Sequence, residues 1–233
     1  MALKGLSRYS VILALSLATC QGHEQRAPQM SPAYNIPSPD NGNSDEVFGQ
    51  LVDRYEAPGR YDWQQPATVL GQLGSIGGRK VADIGAGTGY FTFRLAEAGA
   101  SVIAIDIDPR FLQYINQRKE NLPDSIRYEI ETRLASAERA PLKSGEVDRV
   151  LVVNTFLFIE NRPTYFQHVR QALAPGGMLL VVEYKSGALP VGPGPEVKVP
   201  PAQAILELEQ AGFTRITLDE QSLPYQYILR AEQ

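Results

Sequence analysis

The chain has 233 residues, 43% of them hydrophobic and 21% charged, which is enough apolar material to fill one core of an α/β domain with some sequence to spare. A formal charge of -4 without clustered Lys and Arg argues against a grip on nucleic-acid phosphates. The single cysteine, Cys20, excludes both a disulfide and a zinc cluster built on thiolates.

Lys4 and Arg8 precede an apolar run, "VILALSLA", that is too short to cross a bilayer comfortably as a helix, so residues 1–20 read as an export signal. The run ends in "LATC", which resembles the lipobox of bacterial lipoprotein signal peptides. Cys20 would then carry the lipid, although Thr19 stands where a small Gly, Ala or Ser is usual. The expected location is the cell envelope, membrane-anchored through the N-terminus or periplasmic. The alternative is a domain on the cytoplasmic face of the inner membrane behind an uncleaved anchor. Residues 21–44 are rich in Pro, Gln, Asn and Ser, cannot bury enough surface to offset their ordering entropy, and read as a disordered tether. His23 within it has no second ligand nearby and reads as a solvated residue.

The domain, residues 45–233, alternates strand and helix. "KVADIG" predicts a first strand, and "YFTFRLAEAG" a helix that Gly99 stops. "SVIAIDI" is the second strand, followed by the helix "DPRFLQYINQRKEN" with Asp108 at its N-cap and Pro109 in its first turn. "SIRYEIE" gives a weaker third strand, and "EVDRVLVVNTF" a fourth with the continuous apolar content of a strand covered on both faces. A helix over "RPTYFQHVRQAL" is stopped by "APGG" before the fifth strand, "MLLVVEY". After the helix "PPAQAILELEQAG", the segments "FTRITLDE" and "LPYQYILRAE" leave no room for a helix between them and predict a hairpin. The sum is an α/β, Rossmann-like, doubly wound, mostly parallel seven-stranded sheet with an antiparallel last strand.

The stretch "VADIGAGTGYF" sets three glycines directly after the first strand. A strand that turns abruptly into a helix beside a ligand has no room for Cβ atoms at Gly85, Gly87 and Gly89. The nicotinamide fingerprint is G-x-G-x-x-G, whereas "GAGTG" is G-x-G-x-G and follows an acid, which favours another nucleoside. Asp106 ends the second strand, where an acid can accept both ribose hydroxyls.

With "VADIGAGTGYFTFRLA", "VIAIDIDP", "SAERAPLKSGEVDRVLVVN" and "LAPGGMLLVVEY" in that order, the sequence resembles the class I S-adenosylmethionine-dependent methyltransferases. "APGRYDWQQP" and "LPYQYILR" narrow the resemblance to exported or lipid-anchored bacterial proteins of that kind. The resemblance implies S-adenosylmethionine as cofactor and assigns residues to it. Asp83 would hold the loop near the methionine amino group, and Gly85, Ala86, Gly87 and Gly89 would wrap the amino-acid part. Asp106 would bind the ribose, and Ile107 would pack against adenine. Ser136 stands where the family more often has Asp beside the adenine amino group, Ala137 could bind the ring through its backbone, and Asn154 would line the methyl-donor site. Many relatives of the narrower group carry a His pair after the fourth strand, and "NTFLFIEN" has none.

For chemistry, Glu183 and Tyr184 end the fifth strand at the ligand edge of the sheet, Glu183 reading more readily as structural than as a base. Arg60, Tyr61 and Trp63 in "GRYDWQQP" could close over a nucleoside, or belong to a helix docked on the core with Trp63 as anchor. Tyr90 could cover the cofactor or pack the first helix, and His168 reads as a surface or packing residue. No paired-histidine metal motif or nucleophile elbow is present. The expected function is methyl transfer to a small or lipid-like acceptor. The alternative is a non-catalytic nucleoside-binding module on the same fold. Metabolic labelling with a lipid precursor tests the N-terminal reading: label enters the parent chain and is lost in a Cys20→Ser variant.

Overall fold

The computed structural model describes residues 44–233, so the expected signal, Cys20 and nearly all of the tether lie outside the described residues. The chain enters through three helices, α1 (Ser44–Tyr55), α2 (Arg60–Gln64) and α3 (Pro66–Gln72). Helix α1 starts at the residue where the tether was expected to end. Strand β1 (Lys80–Ile84), α4 (Tyr90–Glu97), β2 (Ser101–Asp106), α5 (Pro109–Lys119), α6 (Asp124–Arg127) and β3 (Ile130–Leu134) form the first half. The second half is β4 (Val147–Val153), α7 (Arg162–Ala172), β5 (Leu173–Tyr184), α8 (Pro201–Gln210), β6 (Thr214–Asp219) and β7 (Gln226–Glu232).

The seven strands lie in the order β3-β2-β1-β4-β5-β7-β6. Strands β1 to β5 pair in parallel, while β7 inserts antiparallel between β5 and β6. The predicted hairpin and reversed last strand are both present. Alternating residues fill two cores, because successive side chains of a strand face opposite sides of the sheet. On one face Ala82, Ile84, Val150 and Val152 meet Phe166 of α7 and Leu208 of α8. On the other, Val81, Leu151 and Leu180 meet Leu73 beside α3, Leu95 of α4 and Ile115 of α5. Strand order reverses between β1 and β4, the kind of switch point at whose carboxyl edge open α/β sheets bind ligands.

Two expectations need correction. The third strand does not cover "SIRYEIE": residues 124–127 are helical, and β3 begins only at Ile130. Pro123 caps that helical turn, its carbonyl accepting from the amides of Ile126 and Arg127, and Asp124 pairs with Arg127 at 2.8 Å. A local helix-start signal overrides the apolar alternation. Nor does "APGG" simply separate helix from strand. Leu173 already pairs with Val147, the ladder resumes at Met178 opposite Arg149, and residues 174–177 bulge between the two pairs.

The two cores set the scale of stability. Leu180→Ala, at a site with no exposure, is expected to cost about 2–5 kcal/mol in urea unfolding. Leu218→Ala, at a side chain 40% exposed on β6, should stay within about 0.5 kcal/mol of the parent.

Candidate functional site

At the carboxyl edge of β1 the chain turns through Gly85–Gly89 into α4. Gly85, Gly87 and Gly89 have φ of +77°, +53° and +83°, a left-handed backbone that side chains rarely adopt. The amides of Gly85 and Ala86 both donate to the Ile105 carbonyl of β2, at 2.8 and 3.0 Å. Space is equally restrictive: a Cβ at Gly85 would overlap the Thr155 side chain, one at Gly87 would meet the Tyr55 ring at 3.3 Å, and one at Gly89 the Phe93 ring at 2.6 Å. The glycines are therefore required both by the turn and by side chains from three other parts of the chain.

Two buried carboxylates hold this turn. Asp83, below it on β1, accepts from Thr92 Oγ1 at 2.6 Å. Burial pushes its pKa up to about 6; the Thr92 bond opposes the rise and nearby Asp106 adds to it. Asp106, at the end of β2, accepts from the Gly87 amide at 2.8 Å through Oδ2 and from the Asp108 amide at 3.0 Å through Oδ1. Burial raises its pKa against these two backbone bonds. Ile107, next along the chain, is 60% exposed. The loop that carries exposed Ser136 and Ala137 is tied to the same place by the Ala135 amide, which donates to the Asp106 carbonyl at 2.9 Å. Asp83, Gly85, Ala86, Gly87, Gly89, Asp106, Ile107, Ser136 and Ala137 thus lie along one edge of the sheet.

Asn154 follows β4 on the other side of the turn, with φ of +54°. Its amide side chain belongs to a closed ring of three. Asn154 Nδ2 donates to Gln64 Oε1 at 3.3 Å, Gln64 Nε2 to Gln226 Oε1 at 2.5 Å, and Gln226 Nε2 to Asn154 Oδ1 at 2.5 Å. Gln64 and Gln226 have no exposure. Sequence reading missed both; the available signal was Gln226 standing as a polar interruption at the start of the apolar strand "YILRA".

The segment "GRYDWQQP" contains the docked helix α2 rather than a loose flap. Trp63 packs on Tyr184 with ring centroids 6.1 Å apart, while Tyr61 is exposed. Helix α1, absent from the expected elements although Val47, Phe48, Leu51, Val52 and Tyr55 recur at helical spacing, lays Phe48 and Tyr55 on Phe111 at 4.9 and 5.5 Å, and Glu56 pairs with Arg118 at 3.1 Å. Arg60 sits 3.9 Å from the Tyr90 ring centroid. Beneath this arm, Thr88 Oγ1 and Tyr90 Oη are buried with no hydrogen-bond partner among the described residues. Such orphaned polar atoms in a glycine-lined turn suit a polar ligand.

Glu183 is fully buried and not solvent-facing. Its two oxygens accept from the Tyr184 amide at 3.0 Å and the Leu157 amide at 3.3 Å. It supports the backbone, and burial pushes its pKa up to about 7. His168 is exposed on α7, and Tyr225 falls just before β7. Among the described residues, no three His, Cys, Asp or Glu groups cluster to hold a metal ion.

Residues 82–181 match the family model for a methyltransferase domain. An uncharacterized methyltransferase of Mycobacterium tuberculosis is 33% identical over 141 residues, 58% of this chain and 51% of that protein. A demethylmenaquinone methyltransferase of Tropheryma whipplei is 33% identical over 122 residues, 52% of this chain and 48% of that protein. The chain spans about half the length of these curated relatives. Among solved structures, a SAM dependent methyltransferase from Aquifex aeolicus superposes with a TM-score of 0.72 at 22% identity, over 79% of this chain and 97% of that one.

The buried acids make stability depend on pH. An acid whose folded pKa lies above its unfolded value contributes fully below the unfolded pKa, and the contribution is lost as pH rises through the folded one. Glu183, raised from 4.5 to about 7, therefore stabilises at pH 4.5 and loses that contribution by neutral pH. Urea titrations from pH 4.5 to 8 should show Glu183→Gln flattening the fall by about 2–3 kcal/mol. Asp83 leaves a residual slope that ends near pH 6.

Proposed function

As a member of the class I S-adenosylmethionine-dependent methyltransferases, this chain is, we propose, an enzyme that transfers a methyl group from S-adenosylmethionine to a small or lipid-like acceptor. The observation that carries the reading is the left-handed glycine turn with Asp106 fixed across from it at the switch point of the sheet. Gly85, Ala86, Gly87 and Gly89 would hold the amino-acid part of the cofactor, with Thr88 Oγ1 and Tyr90 Oη as unspent polar atoms beside them. The Asp106 carboxylate accepts from the Gly87 and Asp108 amides, and the Ile107 amide also favours its charged form; with about four acceptor sites on a carboxylate, the group can fix the loop and still accept from a ribose hydroxyl. Ile107, Ser136 and Ala137 would take the base, and Asn154 the neighbourhood of the methyl donor.

The cofactor supplies a methyl group already activated on a sulfonium, so the protein's task is mainly to orient and to exclude water; orientation alone can supply several kcal/mol. That fits a site whose only carboxylate at the end of β5, Glu183, is committed to the backbone. A lipid-like acceptor draws support from the menaquinone-directed name of one relative and from the export pattern of residues 1–20. On this reading the domain works in the cell envelope, held there through its N-terminus.

Calorimetric titration of the full chain with S-adenosylhomocysteine tests the site. Micromolar binding is expected, weakened by roughly 1.5–3 kcal/mol in Asp106→Ala through loss of a charge-assisted contact. Absence of binding by folded protein would remove the methyltransferase reading, and equal binding by the variant would remove Asp106 from the site.

A further inference from the structure

Arg60 is a partly buried cation at the glycine turn whose charge is not neutralised. Its Nη1 donates to the Tyr55 carbonyl at 2.8 Å and its Nε to Gln64 Oε1 at 3.4 Å, both neutral acceptors. Among the described residues it forms no ion pair with a carboxylate, and Nη2 has no hydrogen-bond partner. Two carboxylates lie close enough to share its field: Glu56, which is paired with Arg118 at 3.1 Å, and Asp83, which is buried below the turn and bonded to Thr92. Burial lowers the Arg60 pKa, the direction expected of a guanidinium taken out of water without an anion to compensate. An uncompensated charge in such a place is costly to maintain, and an anionic ligand removes the cost.

The position is specific. The guanidinium carbon lies over the ring of Tyr90, the residue immediately after the glycine turn, 3.9 Å from its centroid, and its field reaches buried Asp83 below that turn. The two orphaned hydroxyls, Thr88 Oγ1 and Tyr90 Oη, belong to the same few residues. Helix α2 is held by the Trp63–Tyr184 packing and by the amide ring through Gln64, so Arg60 is presented at a fixed place.

We infer that Arg60 is the counter-charge for the carboxylate of the bound ligand's amino-acid part, and hence a binding residue contributed by the N-terminal arm. The inference rests on the reading that the site takes S-adenosylmethionine or its thioether product. A planar fork with a free Nη2 suits a carboxylate oxygen, and the aromatic face holds the fork in orientation.

The test compares two thioethers on the full chain by calorimetry: S-adenosylhomocysteine, and S-adenosyl-3-thiopropylamine, which lacks only the carboxylate. The parent should prefer the first by roughly 10- to 100-fold, the range of a charge-assisted contact. In Arg60→Met, which keeps an apolar stem against Tyr90, that preference should fall to about threefold or less while affinity for the decarboxylated thioether is unchanged. Arg60→Lys should restore part of the preference, and Arg94→Met, which removes the other guanidinium beside Tyr90, should leave it intact. A parent that binds both thioethers equally overturns the inference without any variant. Equal weakening of both ligands in Arg60→Met overturns it as well, since a structural role alone would do that. A parent that binds neither overturns the nucleoside reading itself.

Discussion

The Asp106 carboxylate joins the two parts of the site that come from different strands. One oxygen takes the Gly87 amide of the turn after β1, and the other takes the Asp108 amide at the start of α5. The turn can be glycine-rich, and therefore costly in chain entropy, because this buried acceptor and the Ile105 carbonyl give its backbone donors fixed partners. Everything else at the edge is registered on that pair of bonds. The Asp106 carbonyl receives the loop after β3, and Asp108 caps α5 through the Arg110 amide at 2.9 Å.

Around this fixed centre the chain arranges groups of opposite character. On the β1–β2 side are carboxylates satisfied by backbone and hydroxyl donors. On the β4–β5–β7 side is a neutral ring of amides, together with a buried acid given over to main-chain support. The N-terminal arm spans both. Its aromatic residues bear on α5, its tryptophan bears on the end of β5, and its arginine stands at the turn between them.

How much of this the sequence reveals depends on the range over which each contact acts. The glycine triplet, the strand-end acid, the Asp108 cap and the closing hairpin are local signals, and each lies where the pattern put it. The helical turn at residues 124–127 is masked in the sequence because "SIRYEIE" alternates like a strand while the Pro123–Asp124 start signal stands just before it. Helix α1 carries helical spacing, Val47, Phe48, Leu51, Val52 and Tyr55, but its docking partner does not show in it, and the amide ring left no periodic trace at all. The helix is docked by Phe48 and Tyr55 on a ring 56 to 63 residues away, and the ring of amides joins positions 64, 154 and 226. No window of sequence contains such partners together. Arg60 stands out by composition, a guanidinium beside an aromatic, but that no carboxylate among the described residues pairs with it is visible only once its neighbours are in place.

The amide ring also orders events during synthesis. Its third member, Gln226, stands 162 residues after Gln64 of the arm it fastens, and so is made later than the arm. A nascent chain can form β1 to β5 and the glycine turn while Gln64 and Asn154 have only each other. Until β7 inserts beside β5, each of those two amides lacks its bond to Gln226, and the arm has one fewer attachment to the sheet. Complete fastening of the arm therefore waits for β7, so a strand made long after the arm finishes the mouth of the site as well as the sheet.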